Sequence, residues 1–136
     1  MTIGKSGAPF ISYYDEASHN LKVYYCIAID CASGSDTDRD FIGNVGLYSS
    51  VAIGLNGFPI ISYFDLTNDA LKIVLCHNER CLAGTQITLD STGGALSSIT
   101  VGTNGLPIIS YSGSDGGDLK MVQCSNEFCS PYFRRR

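Results

Sequence analysis

Gly57-Phe58-Pro59-Ile60-Ile61-Ser62-Tyr63-Phe64-Asp65, followed by Leu71-Lys72-Ile73-Val74-Leu75-Cys76 and closed at Cys81, is one of three related copies in this chain. The first copy is Gly7-Ala8-Pro9-Phe10-Ile11-Ser12-Tyr13-Tyr14-Asp15 with Leu21-Lys22-Val23-Tyr24-Tyr25-Cys26 and Cys31. The third is Gly105-Leu106-Pro107-Ile108-Ile109-Ser110-Tyr111 with Leu119-Lys120-Met121-Val122-Gln123-Cys124 and Cys129. Cys76 follows Cys26 by 50 residues, and Cys124 follows Cys76 by 48. Self-similarity at such a period marks a repeat architecture. The chain therefore reads as one repeat domain over 1–136, with repeats at about 1–48, 49–96 and 97–136. The variation in spacing falls after each cysteine pair, where loops absorb it.

Outward from the quoted segment, turn chemistry places the strands. Asn56-Gly57 and Asn104-Gly105 are hairpin dipeptides suited to a two-residue type I′ turn, with Ser6-Gly7 a weaker version. A strand is expected to start at each Gly-x-Pro, where the first strand residue can spare its N–H. The polar connection Asp65 to Ala70 predicts a second hairpin, and two hairpins make a three-stranded meander. A fourth strand is expected at Asp40-Phe41-Ile42-Gly43-Asn44-Val45 and at Gln86-Ile87-Thr88-Leu89-Asp90. The third copy, ending in Ser130-Pro131-Tyr132-Phe133, shows no counterpart of the latter.

Pairing Phe64 with Lys72 puts Ile60, Ser62, Phe64, Lys72, Val74 and Cys76 on one face and Ile61, Tyr63, Ile73 and Leu75 on the other. Both faces are largely apolar, so each small sheet is expected to be covered on both sides, as a propeller blade is by its neighbours. The expected fold is all-β: three four-stranded blade-like repeats, half of a six-bladed β-propeller that a homodimer completes. A closed threefold β-trefoil or β-prism monomer is the alternative.

Composition narrows the function classes. The chain has 136 residues, 44% apolar and 16% charged, with a formal net charge of -4. It has no basic face for nucleic acid; Arg134-Arg135-Arg136 is a terminal run. No apolar stretch approaches the roughly 20 residues of a membrane span, and no signal peptide is legible at Met1-Thr2-Ile3-Gly4-Lys5.

The pattern Gly-x-Pro-x-Ile-Ser-Tyr-Tyr-Asp, a polar connection, Leu-Lys-Val and C-x4-C resembles a repeat of exported bacterial proteins that look like β-propellers of mostly unassigned function. The resemblance spans nearly the whole chain, and the third copy departs from it where Ser112-Gly113 replaces the aromatic-Asp step of Tyr14-Asp15 and Phe64-Asp65. It implies a fold more than an activity.

Three local cysteine pairs, Cys26 with Cys31, Cys76 with Cys81 and Cys124 with Cys129, are expected to form three disulfides in an extracytoplasmic or secreted protein. Zinc is the sharper alternative, with only His19 and His77 to add ligands. No cofactor and no metal is expected. The alternation Asp36-x-Asp38-x-Asp40 has a calcium-like look, but Arg39 interrupts it and a solvated loop is the default reading.

For function, the leading expectation is a non-enzymatic binding or interaction module, with carbohydrate as candidate ligand and Tyr13, Tyr63, Tyr111, Asp15 and Asp65 as candidate ligand-binding residues between blades. The alternative is a hydrolase or lyase with a site at the central channel, drawing on Ser112 to Asp118 and on carboxylates such as Asp115 and Glu127. Ser62 beside Lys72 could be taken for a nucleophile and base, as could Ser12 with Lys22 and Ser110 with Lys120. A residue present in every copy more commonly serves the repeat itself, so no catalytic residue is assigned.

Overall fold

Three four-stranded antiparallel meanders, built from the three sequence repeats, make up the computed structural model of the chain. It describes residues 1–114 and 117–129 in full and the backbone of Tyr132–Arg135. The first unit contains β1 (Thr2–Ile3), β2 (Pro9–Asp15), β3 (Asn20–Cys26) and β4 (Gly34–Asp40). The second contains β5 (Val45–Ile53), β6 (Pro59–Asp65), β7 (Ala70–Cys76) and β8 (Gly84–Asp90). The third contains β9 (Gly93–Val101), β10 (Pro107–Gly113), β11 (Leu119–Cys124) and β12 (Tyr132–Arg135). Each strand pairs with the next in its unit, and one parallel bridge, Ala70 to Gly93, links the second and third units. The expected boundaries near residues 48 and 96 fall inside β5 and β9.

Several sequence expectations need correction. The fourth strand of the first unit is Gly34–Asp40, so Asp36, Asp38 and Asp40 lie in a strand and not in a loop. The third unit does have a fourth strand, with Cys124 opposite Tyr132 and Met121 opposite Arg135. The hairpin at Asn56-Gly57 is longer than a two-residue turn: the Gly57 N–H donates to the Gly54 carbonyl and the Gly54 N–H to the Phe58 carbonyl. Only Gly57 has positive φ, and the Asn56 side chain instead accepts from the Phe58 N–H.

The register also differs by one residue. Tyr63, not Phe64, lies opposite Lys72, and Phe64 lies opposite Leu71. Because the side-chain period is two, this moves all of β7 to the other face. Tyr63 now shares its face with Lys72, Ile61 and Val74, while Ser62 shares its face with Ile73 and stands on the side away from Lys72. The serine–lysine pairing has no geometric basis in this unit.

The units stack through these faces. Phe10, Leu21, Val23 and Tyr25 of the first unit pack with Ile61, Tyr63 and Val74 of the second. Ile60, Leu71 and Ile73 of the second pack with Ile109, Tyr111 and Val122 of the third. As a result every residue of β6 is buried, whereas β10 alternates buried and half-buried positions. The closed threefold monomers would bring the third unit against the first, and the described residues form no such cluster.

Glycine permits a close backbone approach in each stack. A Cβ on Gly46, whose φ is +107°, would lie 2.6 Å from Leu21 Cα. The same relation recurs one unit on, where a Cβ on Gly94 would lie 2.5 Å from Leu71 Cα.

Candidate functional site

The seams between units bring together most of the polar residues that the sequence singled out. Asp40 ends β4 and is buried, so its carboxylate needs partners. It accepts from the Tyr63 hydroxyl and from Lys72 Nζ, each at 2.6 Å. Lys72 also lies 3.6 Å from Asp65 and 5.6 Å from the centre of the Tyr63 ring. Burial alone would push the Asp40 carboxyl up, but the bonds from Lys72, Tyr63 and the Ile42 N–H hold it below the ordinary carboxylate range. Burial, and next the bond to Asp40, push the Tyr63 phenol far above its ordinary value.

The second seam repeats this arrangement. Tyr111 donates to Asp90 at 2.7 Å, and Lys120 lies 3.5 Å from the same carboxylate. Gly113 stands where the other units have Asp15 and Asp65, and Lys120 Nζ donates to the Thr92 carbonyl at 3.0 Å. A Cβ at Gly113 would lie 2.6 Å from Lys120 Cε, so the lysine occupies the space left by the missing side chain.

Tyr63 and Tyr111 are thus buried, with their hydroxyls engaged by the preceding unit. Tyr13 is half-buried, and its phenol is raised first by burial and then by Asp36. Asp65 is buried and accepts from the Asn68 backbone and side-chain amides. Asp15 caps the matching turn through Ser18 and the Ala17 N–H and pairs with Lys22 at 3.1 Å. Of the enzymatic candidates, Asp115 and Gly116 lie outside the described residues, as do Ser130, Pro131 and Arg136 and the side chains of Tyr132–Arg135. All six cysteines form the three expected disulfides, so none is a thiolate available to zinc.

A cleft of about 740 Å³ opens between the second and third units, next to the hairpins and cysteine loops. Its walls are mainly apolar, from Phe58, Leu75, Ile87, Leu106 and Phe128. Polar groups enter at Asn56, His77, Thr85 and Glu127, and His77 Nε2 lies 2.9 Å from Thr85 Oγ1. Concave, largely apolar sites with a few convergent polar groups are the usual form of a small-molecule site.

Phe128 is 64% exposed at the rim, held by the Cys124–Cys129 loop. Sequence reasoning did not single it out, although the last residue between the paired cysteines differs in every unit: Asp30, Arg80 and Phe128. At the first seam the positions of Leu75 and Phe128 are taken by Tyr25 and Arg80, and the Arg80 guanidinium lies 5.2 Å from the Tyr25 ring centre. The two seams share a framework and differ in their side chains.

The chain matches no protein-family model, and no curated protein sequence matches it. Its backbone is similar to the structure of a fucose lectin from Kordia zhangzhouensis in complex with methyl-fucoside. The TM-score is 0.55 at 12% identity, over 98% of this chain and 94% of that one. At that identity the likeness shows a shared all-β fold.

Proposed function

We propose that this chain is a lectin-like carbohydrate-binding module that takes a small deoxy sugar, such as a fucoside, in the cleft between its second and third units. The observation that carries the reading is the cleft itself, with an exposed aromatic ring and a few polar groups on an apolar wall. A sugar of this kind has an apolar face and a methyl group to set against Phe128 and Leu106, and hydroxyls to engage Glu127, His77 and Thr85. The fold shared with a fucose lectin supports the ligand class.

The reading extends to architecture and compartment. Each meander is taken as one propeller blade, supported by the four-strand order and by the stacking of each unit on the next. Three disulfides fit an oxidising, extracytoplasmic setting.

The test is titration calorimetry with methyl-fucoside, alongside the galactoside that differs from it by a 6-hydroxyl. A dissociation constant of about 1 mM or tighter is expected for the fucoside, weakened about tenfold by Phe128→Ala. Absence of saturable binding to either sugar, or binding that Phe128→Ala leaves unchanged, would remove this cleft as the site.

A further inference from the structure

The two end units bury opposite faces. In β2 of the first unit Phe10 and Ser12 are buried, while Ile11 and Tyr13 are only half-buried. In β10 of the third unit the phase inverts: Ile109 and Tyr111 are buried, while Ile108 and Ser110 are half-buried. Among the described residues, only the middle unit is covered on both sides. Leu119 makes the consequence measurable, because it is 77% exposed whereas Leu21 and Leu71, at the same position in the other units, are fully buried.

The uncovered face of the third unit is therefore of the kind that the first unit presents to the second, and that the second presents to the third. The uncovered face of the first unit, with Ile11 opposite Tyr24 and Tyr13 opposite Lys22, is of the kind that receives it at both internal seams. Neighbouring fourth strands touch within the chain, where Gln86 Nε2 donates to the Arg39 carbonyl.

We infer that the outward face of the third unit docks, head to tail, on the outward face of the first unit in a second copy of this chain. Leu119 then takes the enclosed seat that Leu21 and Leu71 have at the internal seams, and strand β12 lies beside strand β4 of the second copy. Two such junctions between two copies close the assembly, a step that rests on the blade arrangement proposed above. The docking itself does not depend on sugar binding.

The test is the solution mass of the full chain, by light scattering on a sizing column without reductant and without sugar, at about 50 μM chain. Twice the 14.6 kDa chain mass is expected. Leu119→Arg, at an exposed position, should give a monomer with an unchanged circular dichroism spectrum, and Ile11→Arg the same. Mixing these two variants should restore a species of twice the chain mass, because each retains the face that the other has lost. A monomeric wild-type chain, a Leu119→Arg dimer, or failure of the mixture to associate would overturn head-to-tail docking. A ladder of larger masses would overturn closure by two copies. Sugar titration of monomeric Leu119→Arg reads the internal cleft separately, so loss of either reading leaves the other measurable.

Discussion

The Tyr63 hydroxyl donates to Asp40 Oδ2 at 2.6 Å across the boundary between the first and second units. The bond joins a residue in the middle of one meander to the last residue of the preceding one, and Tyr111 with Asp90 repeats it at 2.7 Å. Each seam therefore has an apolar interior and a buried charge-assisted bond that fixes how the units align.

Tyr63→Phe should remove this bond and leave Asp40 buried with Lys72 as its remaining side-chain partner. The expected cost is about 1.5–3 kcal/mol, the range for a hydrogen bond to a charged group. Tyr13→Phe, at the matching position with no preceding unit of the same chain against it, should cost no more than about 0.5 kcal/mol when both variants are made in the monomeric Leu119→Arg chain. Urea denaturation of both variants checks the difference; equal losses would remove the seam bond as the cause.

The same pair predicts a dependence on pH at both extremes. Asp40 is held below the ordinary carboxylate range when folded, so its contribution is present above about pH 3.9 and is lost as pH falls from there toward its folded-state value. Tyr63 is raised when folded, so its contribution is present below about pH 10 and is lost as pH rises and the unfolded phenol ionises. Asp40→Asn should flatten the acid limb of a stability profile and Tyr63→Phe the alkaline limb, as read by denaturation midpoints across pH.

Gly46→Ala should be more damaging than a typical glycine substitution. The added methyl meets Leu21 backbone at 2.6 Å, and φ at that position is +107°. Overpacking and left-handed strain together are expected to cost about 2–4 kcal/mol. Gly117→Ala, also at positive φ but with its nearest contact at 3.9 Å, carries the strain without the clash. Thermal unfolding should rank Gly46→Ala clearly below Gly117→Ala; equal melting points would show that the close approach is not what requires glycine.

Much of this protein follows from chemistry within short stretches of chain. The threefold repeat, the strand starting at Pro59, the turn glycine at position 57 and the pairing of each cysteine with one five residues away are all local, and local propensity and spacing specify them. The apolar character of both faces of the middle unit likewise predicts that it is covered on both sides, and β6 is buried throughout.

What lay beyond the sequence were the relations between units. The one-residue difference in register came from assuming Phe64 opposite Lys72, and apolar residues on both faces give the hydrophobic pattern no power to choose between the two pairings. Asp40 read as part of a solvated, calcium-like loop because the groups that satisfy it, Tyr63 and Lys72, lie 23 and 32 residues away across a seam. One signal was available: Asp40 and Asp90 each stand fourteen residues after the first cysteine of their unit. Phe128 is conspicuous only once the disulfide loop sets it at the rim of the cleft. Repetition and turn chemistry sufficed for the units, which are stabilised by contacts between near neighbours in the chain. Their seams, and the cleft between them, rest on contacts between distant residues that only packing in three dimensions selects.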